Sequence, residues 1–432
     1  MTLATSLNHP QRLLLASEVH ARPFMAVTVP ARASHLAVYV GHEAARATRL
    51  IGAFCERFGV APPGDGAQHF IHDFGHLSLK WERHTEFCTF LFVEPGLPDG
   101  DPFARPAIRH APTDWLELLA GSVLVACHVA IESGTPMDFR SPRLKGLFPQ
   151  PPIVGSQVLA GGEVWTDFQV GPDGYTRFLL RDVGLREAQA GRLVQRLCEI
   201  ETYRMTALLA LPVARESTQA LGGMEVELTE LSATIVNPKR SLSDASLLSR
   251  LSSLAARVEA LSLRTNYRFS AAQAYYRLVK ARIGDLREVR IEGVPTIGEF
   301  MERRLAPAME TCVSAAMRQE TLAAKVGRTN DLLRTGVSLA QEQANQHILE
   351  QMNRNAQLQL RLQHAVEGLS VVAITYYLLG LVGYVLKAGK GIGLPLNVDA
   401  ALGLLVPVAC GVTWFGIRRL RSRIADDPAG GH

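Results

Sequence analysis

The chain has 432 residues, 47% hydrophobic and 20% charged, with a formal net charge of +4. That length allows two or three domains, and the apolar content excludes wholesale disorder, although the charged share falls below the roughly 25% usual for soluble domains. The six cysteines, at 55, 88, 127, 198, 312 and 410, stand at least 33 residues apart, which excludes a disulfide scaffold and a Cys-x-x-Cys zinc ribbon and fits a reducing cytosol.

Residues 1–184 read as an α/β domain with a mainly antiparallel sheet. Residues 1–21 carry only one short apolar stretch, at 13–16, and no signal-peptide core. His20 and Arg22 precede Pro23 and Phe24 as a polar cluster, either an anion contact or part of a segment docked on the sheet. Strands are expected over 34–40, 77–84, 87–93, 122–131, 157–160, 163–170 and 175–181. A helix over 43–58 aligns Leu50, Ile51, Phe54 and Phe58. Gly161-Gly162 and Pro172-Asp173-Gly174 mark hairpin turns, and 95–112 and 134–152 read as long loops.

From residue 185 the pattern becomes helical. Leu193, Leu197 and Ile200 open one stripe, and Met224, Leu228, Leu231 and Ile235 form a second. After Asn237-Pro238, Leu247, Leu251, Leu254, Val258 and Leu261 repeat at alternating spacings of four and three, so residues 185–367 read as a coiled-coil stalk with an antiparallel hairpin. Between 341 and 363, ten of 23 residues are Gln or Asn. Gln343, Gln346, Asn353 and Gln357 share one helix face, opposite Ile348, Met352, Leu362, Val366 and Leu369. Such an amide row either lines a hydrated axis in a symmetric oligomer, replacing part of an ion's water shell, or is simply a solvated helix face.

Residues 368–386 form a 19-residue run without a charge, and 400–417 a second of 18. At 1.5 Å per residue the first spans about 28 Å, close to the hydrocarbon thickness of a bilayer. The pair reads as a transmembrane hairpin, against the alternative of two buried core helices. Residues 418–432 form a basic tail with Arg418, Arg419, Arg421 and Arg423, and the positive-inside rule then puts both chain ends in the cytoplasm. Of the net charge, +3 lies from residue 368 onward. The body is therefore nearly neutral, which argues against a nucleic-acid partner. The fold class expected is α+β: an α/β domain, a helical stalk and a membrane hairpin, with the lipid bilayer and further copies of the chain as partners.

Candidate chemistry centres on Lys80 to Phe87, KWERHTEF. On a strand, Glu82, His84 and Glu86 share a face and could hold a divalent cation or move a proton; the other reading is a solvated face. Glu163, Trp165 and Asp167 repeat the pattern. His69, His72 and His76 have metal-like spacing but lack a fourth ligand, so no cofactor is expected. No P-loop, dinucleotide fingerprint or nucleophile elbow occurs, so the chain reads as a membrane protein with an ion path rather than as an enzyme; the alternatives are a membrane-anchored scaffold, or a ligand- or metal-binding sensor or enzyme that uses Glu82, His84 and Glu86.

Seven stretches carry a resemblance over nearly the full length: EVHARPF (18–24), KWERHTEF (80–87), EVWTDF (163–168), the EIETYRM run (192–212), YRFSAAQAYY (267–276), GEFMERRLAPAM (298–309) and VEGLSVVAITYYLLGLVGY (366–384). They are similar to the bacterial membrane-anchored proteins of domain-of-unknown-function family 3422. The resemblance implies a membrane anchor and carries no catalytic residue. In layout the last 130 or so residues also resemble the CorA-type magnesium channels, which are homopentamers. Gly380 and Gly383 match the glycine spacing of their Gly-Met-Asn pore mouth, while Tyr384-Val385 stands where Met-Asn would be. The likeness implies an ion path through Gly380, Gly383 and Tyr384 below the amide row.

Overall fold

The computed structural model describes residues 9, 11, 12, 15, 16, 24–41, 43–64, 66–186, 188–236, 243–391 and 398–425. His20, Arg22, Asn237-Pro238, most of the connector between the apolar runs and the end of the basic tail lie outside the described residues. The chain divides into two compact units, Met1–Asp331 and Leu332–His432.

In the first unit, nine strands form one mixed sheet. In chain order the elements are β1 (Ala31–Tyr39), α1 (Ala44–Arg57), β2 (His69–Asp73), β3 (Ser78–Arg83), β4 (Phe87–Pro95), α2 (Thr113–Glu117), β5 (Val123–Ser133), α3 (Pro142–Leu147), β6 (Val154–Val158), β7 (Gly162–Thr166) and β8 (Thr176–Asp182). There follow α4 (Gln189–Leu208), α5 (Ala210–Val236), α6 (Asp244–Leu286), β9 (Val289–Arg290), α7 (Ile297–Arg304), α8 (Ala306–Gly391) and α9 (Val398–Ala425). The strand order is β2-β3-β4-β1-β5-β8-β7-β6-β9. Every pairing is antiparallel except β5 with β8. The sheet is thus two antiparallel halves joined by one parallel seam, and the expected antiparallel bias holds.

Both faces of the sheet are covered, so the strands bury successive residues rather than alternate ones. On one face Ala33, Leu91, Val129, Phe178 and Leu180 pack with Leu193, Leu197 and Ile200 of α4. On the other, Leu36, Val38, Trp81, Phe90 and Phe92 meet Leu50, Ile51 and Phe54 of α1 and Trp115, whose indole Nε1–H donates to the Leu50 carbonyl at 2.9 Å. The segment around Met25 crosses α4 at Gly191, where a Cβ would come within 2.0 Å of the Met25 carbonyl oxygen. Only glycine allows that approach.

Contacts continue across residue 184, because α4 and the later helices share the sheet's core. Glu227 pairs with Arg257, and Glu216 with Arg264; one index rises as the other falls, so α5 and α6 pack antiparallel. The first part of α8 joins them through Met309, Cys312, Ala315, Gln319, Leu322 and Val326, all buried at spacings of three and four. Arg318 of α8 reaches Glu225 of α5 at 2.7 Å, and Thr265 of α6 donates to Gln319 at 3.1 Å. At the turn into α7, Thr296 and Glu299 form a reciprocal capping box, and the Glu288 carboxylate accepts from the Ile297 and Gly298 amides at 2.8 and 2.9 Å. Four backbone donors at that helix start are thereby satisfied.

In the second unit, residues 338–366 of α8 are all exposed. Two stretches are apolar and long enough to cross a membrane. The one within α8 has mean hydropathy 2.0 with 11% of its residues buried; the one at Asp399–Gly416 has mean hydropathy 1.5 with 6% buried.

Candidate functional site

A polar cavity of about 160 Å³ opens between the sheet and helices α4 and α6. Its floor comes from three neighbouring strands and α4: His35 of β1, Lys80 and Glu82 of β3, Thr89 and Leu91 of β4, and Cys198 and Thr202 of α4. At the mouth stand His84, Gln195, Glu199 and Arg282, each half-buried. The period of two sets Lys80, Glu82 and His84 on one side of β3, while Gln195, Glu199 and Thr202 share one face of α4. His84 stacks on Phe87, 4.4 Å between ring centroids.

Its charges are arranged in pairs. Lys80 is 2% exposed, donates to Gln195 Oε1 at 3.1 Å and lies 3.1 Å from Glu82 Oε1. That second contact is close enough for ion pairing but not aligned as a hydrogen bond, and Glu82 Oε1 is left without a hydrogen-bond partner. Gln195 passes its own amide N–H to Glu199 at 2.8 Å, and Glu199 in turn pairs with Arg282. His35 Nε2 lies 2.9 Å from the Thr202 hydroxyl, whereas its Nδ1 has no partner. Burial, reinforced by the nearby Lys80 ammonium, pushes the His35 imidazole down to about 3, so at neutral pH it is an uncharged ring. Cys198 hydrogen-bonds Cys127 of β5, which with burial raises the Cys127 thiol well above its ordinary range.

The structure brings Glu82 and His84 into one cavity and sends Glu86 elsewhere. Glu86, 1% exposed, forms a salt bridge with Arg268 of α6. Lys80, Glu82 and Glu86 are therefore buried and His84 half-buried, which differs from a solvated face, because helices cover this side of the sheet as well. Glu163 is likewise buried and accepts from the Met137 amide at 2.9 Å; Trp165 and Asp167 are buried too. His69 and His72 are three apart on β2 and point to opposite faces, and His76 sits in the following turn against His110. Among the described residues no group of three or more His, Cys, Asp or Glu side chains is placed to share a metal ion. His35, Gln195, Glu199 and Arg282 were not singled out by sequence. The available signal was a polar residue inside each apolar pattern, such as His35 within ARASHLAVY.

In the second unit, Gln343, Gln346, Asn353 and Gln357 are exposed, as are Gly380 and Tyr384. Gly383 instead faces α9, where an added Cβ would lie 3.6 Å from Leu402. Arg418 and Arg419 follow the second apolar stretch, Arg418 over the Trp414 ring at 5.1 Å; the side chains of Arg421 and Arg423 lie outside the described residues.

The family described as "Protein of unknown function (DUF3422)" matches residues 7–424, nearly the whole chain. The chain belongs to the DUF3422 family. No curated protein and no solved structure matches it; the residues matched by the DUF3422 family include the sheet, the cavity lining and both apolar stretches.

Proposed function

We propose that this DUF3422 protein is an integral protein of the cytoplasmic membrane, held by a hairpin of α8 and α9, with its sheet domain and both ends in the cytoplasm. One observation carries the reading: both stretches are strongly apolar yet only 11% and 6% buried. A core helix of a water-soluble protein would be mostly buried, and a continuous exposed apolar surface of this size needs lipid or protein to cover it. Burial in the two helices supports a hairpin, since the buried positions among the described residues are Thr375, Gly383 and Ala409. Gly383 meets Leu402, and Thr375 with Ala409 fits the same antiparallel register. Of the two glycines shared with the CorA-type channels, Gly383 lies against α9 while Gly380 is exposed with nothing within 4 Å of an added Cβ; anchoring stands ahead of conduction.

The test is alkaline carbonate extraction of membranes, with C-terminal reporter fusions. The chain is expected in the pellet, with a fluorescent protein active and an alkaline phosphatase inactive at the C-terminus; recovery in the supernatant overturns the reading. Self-association belongs to the same proposal. Leu339, Ile348, Met352, Leu358 and Leu362 are all more than half exposed, and coiled-coil pairing with other copies would cover them. A monodisperse monomer by light scattering in detergent would remove that part. An ion path along the amide row requires such a ring, and cation flux into loaded liposomes no greater than into empty ones would end it.

A further inference from the structure

The cavity between the sheet and α4 has a composition that selects a ligand. Its floor presents the Lys80 ammonium, hydrogen-bonded to Gln195 and ion-paired with Glu82 Oε1, and two buried acceptor-capable atoms that receive no hydrogen bond, Glu82 Oε1 and His35 Nδ1. Glu82 is 9% and His35 5% exposed. Leaving buried polar atoms unpaired is costly, and folded proteins do so where a ligand or an ordered water completes the bonds. A space of about 160 Å³ is about five times the ~30 Å³ share of one water, so it accepts a small organic molecule.

Charge then narrows the class. Lys80 and Arg282 balance Glu82 and Glu199, so an incoming net charge of either sign would meet a like charge at close range. A metal ion is disfavoured for the same reason, with Lys80 beside the carboxylate it would need. What fits is a neutral group that both donates and accepts: a hydroxyl can donate to Glu82 Oε1 or His35 Nδ1 and accept the remaining Lys80 N–H. Phe87, Leu91 and Tyr203 supply an apolar wall suited to the C–H surface between successive hydroxyls. We propose that the cavity lined by His35, Lys80, Glu82 and His84 binds a small neutral polyol, of about the size of a tetritol or pentose. Glu82 and Lys80 fix the hydroxyls and His84, stacked on Phe87, closes the mouth.

The experiment is saturation-transfer NMR on the full-length protein in a detergent without a sugar headgroup, with erythritol and D-ribose as probes and acetate and putrescine as charged controls. Two variants accompany the wild type. Glu82→Gln removes the charged acceptor, and His84→Trp plugs the mouth; a thermal melt of each variant checks that it is folded. The expected result is transfer to a polyol in the wild type, affinity weakened about tenfold in Glu82→Gln and transfer abolished in His84→Trp. No transfer to either polyol, or equal transfer in all three proteins, overturns the proposal. So does transfer to acetate or putrescine in preference to the polyols.

Discussion

The two units of this chain place polarity in opposite ways. In Met1–Asp331, charged side chains go inside: Glu86 with Arg268, Glu132 with Arg181, Glu201 with Arg204 and Lys80 with Glu82 each form a pair whose side chains are at most 14% exposed. In the two apolar stretches of Leu332–His432 the outside is apolar, with Leu369, Tyr376, Leu381, Leu404 and Phe415 each at least 61% exposed. A buried charge is tolerable only beside its partner, and an exposed leucine surface only outside water. The first unit thus pairs its buried charges, whereas the second carries two stretches of exposed apolar surface.

The strongest way to break this comparison is to remove one member of a buried pair. Arg268→Met strands the Glu86 carboxylate and is expected to cost about 3–5 kcal/mol, whereas Glu86→Gln together with Arg268→Met should recover most of it. Chemical denaturation of the two variants decides; equal losses would mean the pair is not the cause. Next in size is one substitution made in both units. Leu378→Asp, within the first apolar stretch, should cost about 2.5–3.5 kcal/mol of membrane insertion and release protein from carbonate-washed membranes. Leu263→Asp, on the exposed side of α6, should change stability by less than about 0.5 kcal/mol. If both behave alike, the two exteriors do not differ.

Acid should act on the first unit. Burial holds His35 at about 3 and His128 at about 4 in the folded state, below the ordinary 6.5. Between those values and 6.5 the unfolded chain binds more protons, so stability is full above about 6.5 and falls as pH drops toward 4 and 3. At pH 5 each histidine should account for a loss of about 2 kcal/mol. Thermal melts from pH 7.5 to 5 should show this slope, and His35→Gln should remove about half of it; an unchanged slope would refute the assignment. The smallest effect concerns the helix cap: Thr296→Ala breaks the capping box of α7 and should cost about 1 kcal/mol, measured in the same denaturation series.

Much of the fold was legible in local pattern. The expected strand at 87–93 is β4 with two residues added, and the expected helix at 43–58 is α1 less one residue at each end. The stripe Leu247, Leu251, Leu254, Val258 and Leu261 is buried throughout, because a 3.6-residue period has only one face to hide. β2 was missed, since HFIHD drew attention to its histidines, although it forms a local hairpin with β3 across residues 74–77. The candidate site was half legible. Glu82 and His84 stand out within KWERHTEF, but His35, Gln195 and Arg282 come from a strand, a helix and a second helix far apart in sequence.

By itself, the sequence determined the periodicities, the two charge-free runs and the change from strand-forming to helix-forming composition near residue 185, because each depends on neighbours within a few turns. Tertiary structure alone decided that Glu86 leaves the group it shares a strand pattern with, to meet Arg268 182 positions away. It also decided that Lys80 and Glu82 lie beneath a helix rather than in water, and that Glu82 Oε1 and His35 Nδ1 there receive no hydrogen bond. Burial and pairing depend on what covers a face, and the cover comes from chain that no local pattern can name.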